Sequence, residues 1–192
     1  MKKGLKLTDI LVTIIISLIF GLVYKLWGPL YGVVSTFGLH VEQLIYGMWF
    51  IAATVAFLII RKPGVALLAE VAAAHGEFIF GGEWGVVTLI FGIGQGLAAE
   101  LVFAAFGYKR FNVFVVSLAG IGSAFASIAI DYYYGYIGDL ALWNLLLMFG
   151  ARIIGAIVIS GIFAYLIVAA LEKTGVTNLV RPASNSDYRA LD

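Results

Sequence analysis

Residues 63–85 read PGVALLAEVAAAHGEFIFGGEWG, and the placement of this stretch decides the fold. It is apolar enough to lie in a bilayer, yet it carries Glu70, His75 and Glu77, with Glu83 and Trp84 at its exit. An ionisable side chain at mid-bilayer depth costs about 2.5–3.5 kcal/mol on insertion scales. Three in one segment require a partner, an aqueous cavity or a ligand. Seven positions separate Glu70 from Glu77, close to two helical turns, so both carboxylates face one way. His75 reads onto an adjoining stripe. The segment predicts one polar wall of a binding site inside a membrane bundle.

Composition agrees. The chain has 192 residues, 62% hydrophobic and 12% charged, with a mean hydropathy of +1.04. A soluble domain of this length needs far more charge to keep its surface wet. There is no cysteine, which excludes disulfides and Cys-ligated metals.

A bilayer core of about 30 Å takes roughly 20 apolar residues as helix. Working outward from Pro63, six segments qualify: about 7–27, 40–60, 64–80, 85–106, 113–133 and 142–171. The basic start MKKGLKLTDI leads into a segment too long for a signal peptide, so this is read as the first span. A polar tail, 172–192, closes the chain. The expected fold is an all-α integral membrane protein: one domain over 1–192, a bundle of six transmembrane helices and no soluble module.

Basic residues set the expected orientation. Lys2, Lys3 and Lys6 precede the first span; Arg61 and Lys62 join the second to the third; Lys109 and Arg110 join the fourth to the fifth; Lys173, Arg181 and Arg189 follow the sixth. That side is cytoplasmic and holds both termini, with the tail. The opposite side is acidic and aromatic, with Lys25 its one basic residue, and suits a small organic cation. An interfacial belt accounts for part of its aromatic content.

Several groups gather at intermediate depth. Glu42, Tyr46 and Trp49 share a face of the second helix by their spacing. Glu77, His75, Gln95, Trp84, Trp49, Tyr46, Glu42, Asp131, Tyr132 and Asn144 are the candidate ligand contacts. Glu70 and Glu100 fall at one depth and read as a structural polar pair, or as bonded to neighbouring helices. Arg152 is expected to pair with Asp131 or a nearby glutamate. The run DYYYGYIGD (131–139) reads as an outer loop able to fold over the site. Thr13, Ser17 and Gly21, four apart, form a smooth stripe for helix contact, either inside the bundle or with a partner.

The missing motifs narrow the function. There is no phosphate-binding G-x-x-x-x-G-K-[ST], no H-E-x-x-H and no G-x-S-x-G. His40 and His75 are too far apart to form a helical metal pair. No metal, cofactor or nucleic-acid partner is expected, and no catalysis by this chain.

Six short helices with both ends inside, an acidic aromatic outer mouth, and the runs HGEFIFGGEWG, QGLAAELVF and DYYYGYIGD together resemble a known family. The chain resembles the substrate-binding (S) component of energy-coupling factor (ECF) vitamin transporters, over nearly its whole length. It is similar to the YkoE type, associated with thiamine and its hydroxymethylpyrimidine precursor. The resemblance implies a bacterial cell membrane location, a transmembrane coupling subunit and ATP-binding cassette ATPase subunits that supply the power. Members commonly dock the coupling subunit through an Ala-x-x-x-Ala stripe on the first helix; Thr13, Ser17 and Gly21 take that spacing here without alanine. Thiamine chemistry fits the residues. The pyrimidine is expected among Glu77, His75, Gln95 and Trp49 or Trp84, and the thiazolium near Asp131 and the tyrosines or near Glu42 and Tyr46. The alternatives are another vitamin or organic cation, an intramembrane enzyme using Glu70, His75 and Glu77, and a small channel or scaffold.

Overall fold

The first helix is inside out. α1 (Leu7–Ser35) exposes large aliphatic side chains such as Leu11, Ile15, Leu18, Ile19 and Leu22. It buries Asp9, Thr13, Ser17, Gly21, Tyr24 and Gly28. This inversion suits a helix whose outer face meets lipid and whose inner face packs closely. Thr13 and Ser17 donate to the carbonyls one turn back, both at 2.7 Å, so their burial leaves no orphaned hydroxyl. The helix runs past the expected end near Trp27 and through Pro29, since membrane helices absorb a proline that would break a soluble one.

The computed structural model describes residues 4–180. Lys2 and Lys3, and the tail residues 181–192 with Arg181 and Arg189, lie outside the described residues. Among the described residues every regular element is helical.

A tight turn through Gly38, Leu39 and His40, all at positive φ, leads into α2 (Val41–Ile60). Its first half, Val41–Phe50, is a 3₁₀-helix, and its second, Ile51–Ile60, is α-helical and wholly buried. A helix apolar on every side belongs in the centre, and the others wrap it. α3 (Val65–Ile79) packs against α1, α2 and α4 (Val87–Ala105). α5 (Val113–Tyr133) packs against α4 and the middle of α6 (Leu142–Lys173). α6 changes winding twice, from α to a π-helical stretch at Ala156–Phe163 and back. The core centres on α2, where Phe57 stacks on Phe103 of α4 with ring centroids 3.7 Å apart.

Five of these six helices, α1, α2, α4, α5 and α6, are long and apolar enough to cross a membrane. α3, with 15 residues, is the short one.

Glycines set two close helix crossings. A Cβ on Gly21 would come within 2.8 Å of Ala73 and Gly76 backbone on α3. A Cβ on Gly47 would come within 2.5 Å of the Gly155 carbonyl, where the 3₁₀ half of α2 crosses α6. The stripe of Thr13, Ser17 and Gly21 is therefore covered by α3 and is not a free docking face. This corrects the partner expectation: the spacing that admits a foreign helix admits a helix of the same chain equally well.

One end is tied by ions. The Arg61–Lys62 turn pairs with Glu172 and with Asp9, joining α2 to α6 and α1. Glu100 of α4 accepts from the backbone N–H groups of Gly64, Ala66 and Leu67 at 2.6–3.3 Å, capping the first turn of α3. Glu70 and Glu100 thus do not pair with each other. Each is spent on a different helix.

Candidate functional site

A cavity of about 430 Å³ lies between the helices, bounded by side chains from all six. On one wall, α3 presents Glu70 and Glu77, and α4 presents Thr88 and Gln95. Facing them, α5 and α6 present Asp131 and Arg152, with Gln43, Tyr46 and Trp49 of α2 and Tyr24 and Tyr31 of α1 between. Tyr136, Ile137 and Leu140 of the α5–α6 loop also line it, so that loop folds over the site.

The α3 wall is built around the irregularity in α2. Where its α-helical half starts, no side chain of its own caps it. Glu70 and Tyr24 take that role from neighbouring helices: the Ala53 N–H donates to Glu70 Oε2 at 3.1 Å and the Ala52 N–H to the Tyr24 hydroxyl at 3.0 Å. Tyr24 in turn donates to Glu70 Oε2 at 3.2 Å. One turn earlier, Trp49 Nε1 donates to Glu77 Oε1 at 3.1 Å. The second oxygen of each carboxyl is left over.

Those leftovers form a set. Among the described residues, four buried side-chain atoms have no hydrogen-bond partner: Glu70 Oε1, Glu77 Oε2, Thr88 Oγ1 and Gln95 Nε2. All four residues line the same cavity. A buried polar group without a partner costs about 1–3 kcal/mol, so four residues around one cavity make a polar wall able to bind water or a ligand. Two carboxyl oxygens seek a donor, the amide nitrogen seeks an acceptor, and the hydroxyl takes either.

The facing wall is saturated except at its tip. Arg152 is 2% exposed; its Nε donates to Gln43 Oε1 at 2.7 Å and its Nη1 to Ser127 at 3.0 Å and to Asp131. The guanidinium lies 3.8 Å from the centre of the Tyr46 ring. Gln43 Nε2 passes the chain on to the Tyr31 hydroxyl at 2.6 Å and Glu42 at 3.1 Å. The rings of Tyr31 and Trp49 meet edge-on with centroids 5.1 Å apart, giving the cavity an aromatic side.

Residues 8–126 match the family described as the permease component of the ABC-type cobalt transport system. The YkoE protein of Bacillus subtilis (strain 168), whose name places it among HMP/thiamine permeases, is 36% identical over 92% of this chain and 89% of its own length. A crystal structure of an S component of an ECF transporter superposes with a TM-score of 0.88 at 35% identity, covering 91% of this chain and 89% of the other.

The chain belongs to the ECF transporter S-component family. As an S component it is a multi-pass protein of the cell membrane.

Six of the ten ligand candidates named from the sequence line the cavity of this S component: Glu77, Gln95, Trp84, Trp49, Tyr46 and Asp131. Four do not. His75 is exposed on the outside of α3 and bonds back to the Val71 carbonyl at 2.7 Å. Two positions at about 100° each turn it roughly 160° away from Glu77, not onto an adjoining stripe. Tyr132 is 71% exposed, on the outer side of α5. Asn144 is engaged with His40 Nε2 at 2.7 Å, and Glu42 sits behind Gln43. Asp131 lines the cavity but is committed to Arg152, and Arg152 covers a face of Tyr46, so neither is free for a cationic ring.

Sequence reasoning missed several contributors, Thr88 of α4 among them. Tyr24 and Tyr31 lie on a helix that reads as plain lipid-facing apolar sequence. Their only signal was helical register with the small-residue stripe: Tyr24 is three positions beyond Gly21, and Tyr31 seven beyond Tyr24. Glu70, assigned a structural role, also lines the cavity and keeps one buried oxygen without a partner.

Proposed function

We infer that this S component captures thiamine or its hydroxymethylpyrimidine precursor from outside and delivers it inward with a transmembrane coupling subunit and ATP-binding cassette ATPases. In this reading all six helices span the membrane, α3 included, both termini are cytoplasmic, and the chain contributes binding and not catalysis.

The observation that carries the reading is the four unpartnered atoms on one cavity. An aminopyrimidine brings an exocyclic amine, a two-proton donor, beside ring nitrogens that accept. The amine suits Glu77 Oε2 and Glu70 Oε1, and a ring nitrogen suits Gln95 Nε2. The flat rings suit Trp49, Tyr31 and Phe91. A thiazolium beside two carboxyls and the Tyr31–Trp49 pair would gain about 0.5–2 kcal/mol per aromatic contact. Candidate contacts are therefore Glu70, Glu77, Gln95, Thr88, Trp49 and Tyr31, with Trp84 at the mouth.

The matched family description names cobalt, which makes metal binding the second reading. Among the described residues no three His, Cys, Asp or Glu are grouped to hold a metal ion, and the cavity is rich in rings, which favours the organic ligand. Two of the four tryptophans line the cavity, so intrinsic fluorescence of the purified chain reports occupancy. Titration with thiamine, hydroxymethylpyrimidine, riboflavin and cobalt(II) should give saturable quenching with the first two only. Saturation by cobalt(II) alone would reverse the assignment.

A further inference from the structure

The site has a second polar pole that the aminopyrimidine does not use. Arg152 spends Nε and Nη1 on protein partners, and Asp131 spends Oδ2. Among the described residues no hydrogen bond engages Arg152 Nη2 or Asp131 Oδ1, and both side chains line the cavity. A free donor and a free acceptor thus belong to one ion pair on the α5–α6 side of the cavity, across from Glu70 and Glu77. The two charges of the pair cancel.

We propose that Arg152 and Asp131 form a subsite that reads a neutral hydroxyl on the ligand's arm and rejects the phosphate ester of that hydroxyl. This rests on the functional reading above, since thiamine carries such a hydroxyethyl arm on its thiazolium. A hydroxyl is the one common group that donates and accepts through a single atom. It donates a hydrogen bond to Asp131 Oδ1 and accepts one from Arg152 Nη2, satisfying both without disturbing their ion pair. A phosphate monoester cannot. It is acceptor-rich and carries up to two negative charges, Asp131 stands beside it, and the arginine it needs is already neutralised. Burying such an anion without a surplus cation is strongly unfavourable. A free arginine would read the other way, as a phosphate site. Asp131 decides the sign.

The test is calorimetric titration of the full-length chain in detergent with thiamine, thiamine monophosphate and an analogue bearing hydrogen in place of the hydroxyl. Wild type should bind the monophosphate at least about tenfold more weakly than thiamine, and the deoxy analogue several-fold more weakly, as expected for one or two lost hydrogen bonds. Asp131→Asn should pull the monophosphate-to-thiamine ratio towards one or invert it. Should that variant misfold, Asp131→Leu with Arg152→Met replaces the pair by apolar groups, an exchange buried ion pairs commonly tolerate; thiamine and its deoxy analogue should then bind alike. Equal binding of thiamine and its monophosphate by wild type, or a ratio unmoved by Asp131→Asn, overturns the subsite alone. Failure of thiamine and hydroxymethylpyrimidine to bind at all overturns the functional reading, and the subsite with it.

Discussion

Each carboxyl on α3 is half used. Glu77 accepts from Trp49 through one oxygen and Glu70 caps α2 through one of its own, and the other oxygen of each is buried without a partner. Glu77→Gln keeps an acceptor for Trp49 but removes the charge, so the fold should hold while binding suffers. A charge-assisted hydrogen bond contributes about 1.5–3 kcal/mol, which is roughly ten- to a hundredfold in Kd. Thiamine titration of this variant should show that loss with an unchanged melting temperature. Glu70→Ala should weaken binding and melting together, because Glu70 also holds the Ala53 N–H. His75→Ala should leave thiamine affinity untouched, since that ring faces outward. Residue spacing made Glu77, Gln95 and Trp49 legible, because a buried polar residue in an apolar helix has few other reasons to be there. It failed at His75, where the rotation was misjudged, and at Asn144, whose partner His40 is remote in sequence.

At the level of the helix, irregular winding is what shapes the cavity. Ten residues of 3₁₀-helix in α2 are far longer than usual, and eight residues of π-helix in α6 are rarer still. The two irregular helices cross at Gly47 and Gly155, next to Gln43 and Arg152. Gly47→Ala would push a methyl into the Gly155 carbonyl, so it should cost about 1–3 kcal/mol of stability. Thermal unfolding in detergent checks this, with Gly32→Ala as the control, since a Cβ there meets nothing within 4 Å. Hydropathy located the segments but could not report their winding: Val41–Phe50 has no proline, and its one glycine, Gly47, fits 3₁₀ and α alike. Nor could hydropathy choose which helix would cover the Thr13–Ser17–Gly21 stripe, because α3 and a foreign helix satisfy it alike.

Across the whole molecule, the ion pairs of the basic turn and the cavity lie apart. The ion pairs of the Arg61–Lys62 turn and the Glu100 cap lie at one end, and the acidic and aromatic loops at the other. The orientation proposed above puts the tied end in the cytoplasm. The chain has no cysteine, so single-cysteine labelling reads this directly. In intact cells an impermeant maleimide should label Asp139→Cys and spare Lys109→Cys; the reverse pattern would invert the topology. The claim on which the account turns is that a ligand's ring satisfies the four unpartnered atoms. A structure of the chain with thiamine bound measures that directly. It should show the aminopyrimidine between α3 and α4, its amine on a Glu77 or Glu70 oxygen and a ring nitrogen on Gln95 Nε2. Thiamine seated elsewhere, with those atoms still bare, would contradict it.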